Sequence, residues 1–306
     1  MGEESPKTVG VLAEPYLHEW QVRALERLQS ETDVDVSLVV YNASNTEYEA
    51  ESWNTKDRPS LDDVAQFFDA FRQEKAWSLV LAERNIGRLF GDEQELWYRH
   101  SLENVDCLAG ADFRPCEPRV ENGWSELPDD IVSQLADRCD VVIRFGFGLI
   151  RGEVLTAPKY GVLSFHPADI RTYRGMGPPV IFRDGRERAG STLQRLDESI
   201  DGGEIVAYDE VHLGNCHTLW DVFDRLAALQ IRLLAEGISN LGKPAFEPEV
   251  VPDEQLGDFY YRKQRRTPPF AGRVLLKNLS GRVRRRLERT RSSEGVFESP
   301  SDIPGD

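Results

Sequence analysis

The sequence predicts an α/β domain built on a mostly parallel sheet with helices on both faces. Three observations carry this. Thr8–Leu12, with Val9, Val11 and Leu12, is a short apolar run suited to a buried strand. Glu19–Leu28 follows, with Trp20, Val22, Leu25 and Leu28 at helical spacing, and Asp35–Tyr41 is a second apolar run. Strand, helix and strand in that order form a βαβ unit, whose crossover implies parallel strands. The loop after the first strand, Ala13-Glu14-Pro15-Tyr16, lacks glycine, which excludes a phosphate-cradling G-x-G-x-x-G turn at that point.

The same alternation returns in the second half of the chain. Pro128 opens a helix through Ile131, Leu135 and Ala136, and Asp140–Phe145 reads as a strand. A short helix with Val154 and Leu155 leads to a strand ending at His166, where Pro167 stops the ladder. Ser191–Arg195 and Ile205–Tyr208 are further strand candidates. Thr218–Leu241 is a long amphipathic helix with Asp221 three residues after the capping Thr218. Residues 42–101 read as an elaboration: Ser60 caps a helix with Val64, Phe67, Phe68 and Phe71 on one face, Trp77–Leu81 suggests a strand and Asn85–Tyr98 a helix. The expected organisation is an α/β domain over 1–245, then an extended segment and basic tail over 246–291, with 292–306 disordered.

Composition narrows the function. The chain has 306 residues with 53 acidic against 37 basic, a net charge of −16, and seven of the basic residues are lysine. An acidic surface that favours arginine over lysine suggests a halophilic protein, because salt screens exposed charges beyond a few Å. Cys107, Cys116, Cys139 and Cys216 show no C-x-x-C spacing, so they read as buried thiols, with no zinc signature and no disulfide framework. No apolar run approaches the ~20 residues of a membrane span, and the polar stretch from Met1 to Lys7 has no signal-peptide character. A cytoplasmic location is expected.

The tail reverses the sign of the charge. Arg262–Arg291 holds twelve basic residues and one acid, Glu288, for a local net of +11, and leaves the rest of the chain at −27. Leu276, Leu279, Val283 and Leu287 fall at helical spacing among Arg282, Arg284, Arg285, Arg286 and Arg289. Such a basic amphipathic helix suits an anionic membrane surface, RNA or an acidic partner, or it folds back onto the chain's own acidic surface. Peripheral membrane attachment is one expectation. Oligomeric state is not legible.

One stretch concentrates the chemistry. Ser164 and His166 stand two apart at the end of a strand, so period-2 alternation points both to one face. Ligands in α/β proteins bind beyond the carboxyl ends of the strands, and a loop with Arg171, Tyr173, Arg174 and Gly175 follows. Asp201 lies 35 residues beyond His166 in Ile-Asp-Gly-Gly-Glu, where two glycines free the backbone to set a carboxylate against an imidazole. Ser164 offers a hydroxyl for a developing oxyanion. It lies outside any G-x-S-x-G elbow, which argues against a nucleophile. Gly146 to Gly152 is only a weak match to a nucleotide loop, with the wrong final spacing.

These motifs resemble the folate-dependent formyltransferases, the group of glycinamide ribonucleotide, methionyl-tRNA and amino-sugar N-formyltransferases. The family pattern Asn-x-His-Pro/Gly-Ser-Leu-Leu-Pro-x-Tyr-Arg-Gly has its counterpart in Ser164-Phe165-His166-Pro167 through Tyr173-Arg174-Gly175, and Leu-Asp-x-Gly in Ile200-Asp201-Gly202-Gly203. Phe145–Ile150 resembles the family's pterin-pocket loop, and the likeness covers about 139–245. It implies a Rossmann-like sheet of the formyltransferase fold and 10-formyltetrahydrofolate as co-substrate, with no metal. It also implies a catalytic set of His166, Asp201 and Ser164. The pterin would be held by Phe147, Leu149, Ile150, Arg151, Leu196 and Asp197, and the acceptor by Tyr173, Arg174 and Gly175. His166 would donate to the tetrahedral oxyanion and Asp201 would keep it protonated. The expected acceptor is a small-molecule amine, an amino sugar or nucleotide sugar. A methionyl-tRNA acceptor and a degenerate non-catalytic folate-binding protein are the alternatives. Two departures stand out: serine at 164 in place of the family asparagine, and Asp169-Ile170-Arg171-Thr172 in place of Ser-Leu-Leu-Pro.

Overall fold

Val9, Val11 and Ala13 point to one side of the first strand and Leu12 to the other, so both faces of this strand are buried and each needs a helical layer. The computed structural model describes residues 5–44, 72–89 and 94–294. In chain order it forms β1 (Thr8–Ala13), β2 (Tyr16–His18), α1 (Glu19–Glu31), β3 (Asp35–Asn42), α2 (Trp77–Leu89), β4 (Arg99–Ser101) and β5 (Asp112–Cys116). There follow β6 (Arg119–Glu121), β7 (Trp124–Glu126), α3 (Asp129–Arg138), β8 (Val141–Arg144), β9 (Leu149–Ile150), β10 (Val162–His166), β11 (Tyr173–Arg174) and α4 (Pro178–Asp184). The chain closes with β12 (Arg188–Arg195), β13 (Glu204–His212), α5 (Leu219–Leu241), β14 (Asp258–Phe259), α6 (Arg262–Arg265) and α7 (Pro268–Glu294).

The seven-stranded central sheet runs in the order β13-β12-β10-β8-β1-β3-β5. From β10 to β5 every pairing is parallel, and β12 and β13 extend the edge antiparallel. One face packs Val9, Val11, Ile143 and Leu163 against Leu25, Leu28, Leu229 and Leu233 of α1 and α5. The other packs Leu12, Val142 and Val162 against Ile131 and Leu135 of α3. The α5 start follows the capping-box reading: the Thr218 hydroxyl accepts from the Asp221 amide, and the Asp221 carboxylate accepts from the Thr218 amide. Cys116 and Cys139 are buried and Cys107 and Cys216 half-buried, all as free thiols, and burial pushes the Cys107 and Cys116 thiols up to about 11.

Residues 42–101 depart from the sequence reading. Trp77–Leu81 is not a strand, and Asn85–Tyr98 is not one helix. A single helix, α2, spans Trp77–Leu89, and a 3-10 turn covers Glu95–Trp97. Trp77, Val80 and Glu83 recur every three residues and turn inward, whereas Leu79 and Ile86 face solvent, which is helical spacing in a run too apolar to tell from a strand by composition. The helix expected from Ser60 through Val64, Phe67, Phe68 and Phe71 lies outside the described residues.

The basic tail forms α7, whose orientation is set by charge. Phe270, Ala271, Val274 and Asn278 are buried, while Leu276, Leu279, Val283 and Leu287 are exposed. Arg282 pairs with Glu83 of α2, Arg285 pairs with Asp221 at the start of α5, and Arg265 and Arg266 grip Glu74 at 2.9 and 3.2 Å. Glu83 also accepts from Trp220 Nε1 at 3.0 Å and Asn278 Nδ2 at 2.8 Å, and is itself buried. The helix therefore does fold back onto acidic side chains, and it does so with Arg282 and Arg285 turned inward. Residues 292–294 are its last turn, and the remainder of the segment expected to be disordered lies outside the described residues.

Glu83→Ala strips one carboxylate from the buried Trp220 and Asn278 and the half-buried Arg282, and should destabilise the fold by about 3 kcal/mol. Urea unfolding should show a lower midpoint at unchanged slope.

Candidate functional site

The site grows from the carboxyl ends of β8 and β10. Ser164 stands opposite Arg144 in the parallel ladder and opposite Gln194 in the antiparallel one. Side-chain alternation sends Ser164 and His166 to the same face, and both are almost fully buried, at 2% and 4% exposure. Pro167 ends the ladder, and the chain turns into β11 within six residues of it.

His166 meets a hydrogen-bond acceptor at each ring nitrogen. Nδ1 lies 3.2 Å from Asp201 Oδ1, and Nε2 lies 2.8 Å from the carbonyl oxygen of Tyr173. A carbonyl can only accept, so Nε2 carries a proton in this arrangement. Asp201 sits at a positive φ of 50° in the loop before β13. Burial alone would raise its carboxyl, but the His166 ring, the Gly175 amide at 2.8 Å and the Gln194 side chain at 3.4 Å outweigh it and hold the group at about 2. The Asp201 loop is braced twice more. Arg174 donates to the Ile200 carbonyl at 3.0 and 3.3 Å, and Gly203 N donates to Gln194 Oε1 at 3.2 Å. Gly203 cannot carry a Cβ there, because one would lie 2.1 Å from the Arg195 carbonyl oxygen.

The expected acceptor residues thus hold the His166–Asp201 pair in place. Tyr173 supplies the carbonyl for His166, Arg174 clamps Ile200 and Gly175 N donates to Asp201. Gly175 takes a φ of +78°, and a Cβ on it would fall 2.3 Å from the Tyr260 carbonyl oxygen, so glycine is required by both conformation and space.

Two further residues enter that sequence reading missed. Arg144 donates from Nη2 to Ser164 Oγ at 2.7 Å and from Nη1 to the Gly148 carbonyl. Burial lowers its guanidinium to about 10, with the Asp201 charge as the opposing influence. Among the described residues it has no ion-pair partner, and its Nε is buried with no acceptor. Gln194 bridges from β12 to the Asp201 loop. A basic residue next to the Gly146–Gly152 loop was the available signal for Arg144, whereas nothing local marks Gln194, whose role comes from cross-strand register.

The expected pterin residues form two segments. Phe147 and Gly148 take φ values of 66° and 62°, and Phe147 N donates to Glu14 at 3.0 Å. Phe147 and Ile150 are buried, Leu149 is exposed, and Arg151 is committed to Glu126 and Glu121 at 2.6 and 2.9 Å. A Cβ built on Gly148 or Gly152 meets nothing within 4 Å, so the backbone there is open to a flat ligand. Leu196 is tied to the sheet by its amide on the Val162 carbonyl at 2.8 Å, and Asp197 caps its own turn through Ser199.

The α/β sheet thus carries a His–Asp pair at its carboxyl edge, with the histidine buried and the aspartate half-buried. Residues 117–238 match the formyl transferase family. The chain is 31% identical over 140 residues to methionyl-tRNA formyltransferase of Bacillus cytotoxicus, covering 45% of this chain and 44% of that one. It is 30% identical over 139 residues to the same enzyme of Clostridium beijerinckii, covering 44% and 43%. The chain therefore spans less than half the length of these curated relatives. A sugar N-formyltransferase from a Shewanella species superposes with a TM-score of 0.51 at 12% identity, covering 89% of this chain and 88% of that one. The N-formyltransferase of Helicobacter canadensis, solved with folinic acid and dTDP-3-aminofucose, superposes at 0.50 and 11%, covering 84% and 71%. At such identities these two share the fold. The family match and the curated relatives support a formyltransferase reading of the matched residues.

The low Asp201 value has a consequence for acid stability. A carboxyl depressed on folding adds stability above its unfolded value near 3.8, which is lost as pH falls through about 2. The contribution is about 2 kcal/mol at neutral pH. Stability measured by urea unfolding should fall between about pH 4 and pH 2, and Asp201→Asn should flatten that part of the profile.

Proposed function

We propose that this chain is an N-formyltransferase that moves a formyl group from 10-formyltetrahydrofolate to an amine, with an amino sugar or nucleotide sugar as the acceptor. The pairing of the buried His166 with the half-buried Asp201 carries the reading, because transfer of a formyl group passes through a tetrahedral oxyanion and releases an amine proton. In this reading Asp201 orients the ring through Nδ1. Nε2 exchanges the Tyr173 carbonyl for the formyl oxygen as it gains charge. Ser164 stands where the family pattern has asparagine, and the guanidinium of Arg144 beside it offsets the shorter reach of the serine. The open backbone of 147–152 and the Leu196–Asp201 loop bound the pterin, and Tyr173, Arg174 and Gly175 add an acceptor wall to their bracing role. The sugar acceptor is favoured by the fold neighbours named above. The reaction needs no metal. A salt-rich cytoplasm suits the acidic, arginine-favouring composition.

A methionyl-tRNA acceptor is the second reading, favoured by the names of the curated relatives and the +11 charge of 262–291. It requires tRNA binding with a steep salt dependence that is lost when the tail is deleted. Salt-independent binding, or none, removes it.

His166→Ala and Asp201→Asn should each lower kcat about a thousandfold while leaving folinic acid affinity within about twofold. Failure of the purified chain to formylate any amine would end the enzymatic reading, and turnover unchanged by His166→Ala would remove the histidine from the mechanism. Ser164→Asn should raise turnover with formyl-folate and an amino-sugar acceptor, and a rate that stays at zero would favour a non-catalytic folate-binding protein.

A further inference from the structure

The outward face of α7 is unusual for a basic helix. Leu276, Leu279, Val283 and Leu287 follow one another at spacings of three, four and four, and are 68%, 47%, 59% and 57% exposed. On a helix that spacing draws one narrow row, about 16 Å long. The opposite side is anchored: Val274 and Asn278 are buried, and Gly281 lies so close to the chain that a Cβ would fall 1.7 Å from the His217 carbonyl oxygen. The row therefore cannot roll inward. Contiguous apolar surface of this kind marks an interaction site.

The arginines divide into two groups around it. Arg282 and Arg285 are spent inward on Glu83 and Asp221. Arg284 and Arg286 are exposed, flank the row on either side and, among the described residues, pair with no carboxylate. A second copy of the chain docked on the row would set these arginines against their own counterparts, within a segment of net +11. A protein partner would need pockets or ridges to match, whereas a single file of aliphatic side chains between cations fits a surface that is apolar below and anionic above. No described helix is long and apolar enough to cross a membrane.

We propose that α7 is an interfacial anchor that lays Leu276, Leu279, Val283 and Leu287 into the outer few Å of an anionic phospholipid bilayer, with Arg284 and Arg286 on the headgroup phosphates. The proposal does not depend on the formyl-transfer reading.

Co-sedimentation of the full chain with vesicles tests it. The chain should pellet with phosphatidylglycerol–phosphatidylcholine vesicles and partition about tenfold less onto phosphatidylcholine alone. Leu279→Glu with Val283→Glu should abolish binding, and Arg284→Glu with Arg286→Glu should reduce it about tenfold at low salt. All four positions are exposed, so circular dichroism and urea midpoints should match the wild type. The proposal is overturned if the wild type stays in the supernatant, or if the leucine-row double variant still pellets. It is equally overturned if light scattering shows a wild-type dimer that this variant dissolves, because the row is then a contact between copies. Retention of tRNA that requires the row would overturn it in favour of an RNA surface.

Discussion

The Asp201 carboxylate is the constraint on which the site depends. It accepts from the His166 ring, the Gly175 amide and the Gln194 side chain, which belong to β10, the turn after β11 and β12. Three separate elements thus converge on two oxygens. A carboxylate largely withdrawn from water is costly unless hydrogen bonds replace the lost hydration, and here three donors do. The same contacts align the histidine, so stability and the geometry of the pair cannot be separated at this point. The positive φ at Asp201 and the close approach at Gly203 show that the loop is shaped to deliver that carboxylate.

Around this centre the sheet acts as a ruler. The parallel ladder sets Arg144 beside Ser164, and the antiparallel one sets Gln194 across from it. Serine at 164, where the formyltransferase pattern has asparagine, is a shorter donor, and the guanidinium of Arg144 fills the adjoining space with a cation that, among the described residues, no carboxylate neutralises by contact. A cation beside a strand end, facing a buried imidazole and carboxylate, is an electrostatic environment arranged before any ligand arrives. The proposed chemistry uses that preorganisation.

The tail obeys a different balance. Its arginines have buried or half-buried acidic partners at Glu83, Asp221 and Glu74, and these contacts decide which side of α7 faces the body. Hydrophobic burial would have turned Leu276, Leu279, Val283 and Leu287 inward. The ion pairs, with Asn278 on the buried side and the tight passage at Gly281, turn them outward. The inward side of α7 also buries Phe270, Ala271 and Val274, so apolar contact and ion pairs act together on that face.

Much was legible from the sequence because it is carried by short-range regularity. Period-2 alternation placed Ser164 and His166 on one face, helical spacing outlined α1, α3 and α5, Thr218 and Asp221 marked a helix start, and Pro167 marked a strand end. The pairing of His166 with Asp201 was legible only through a two-part motif separated by 35 residues. Trp77–Leu81 was misread because a short apolar run fits a strand or a buried helix equally, and only α7 packed against it chooses. Gln194 had no local signature, because its position follows from strand register, and Arg144 was marked only as a basic residue beside the Gly146–Gly152 loop. The orientation of α7 was likewise beyond sequence: amphipathic spacing says that a helix has two faces, and only the acidic side chains assembled from α2 and the start of α5 decide which face turns outward.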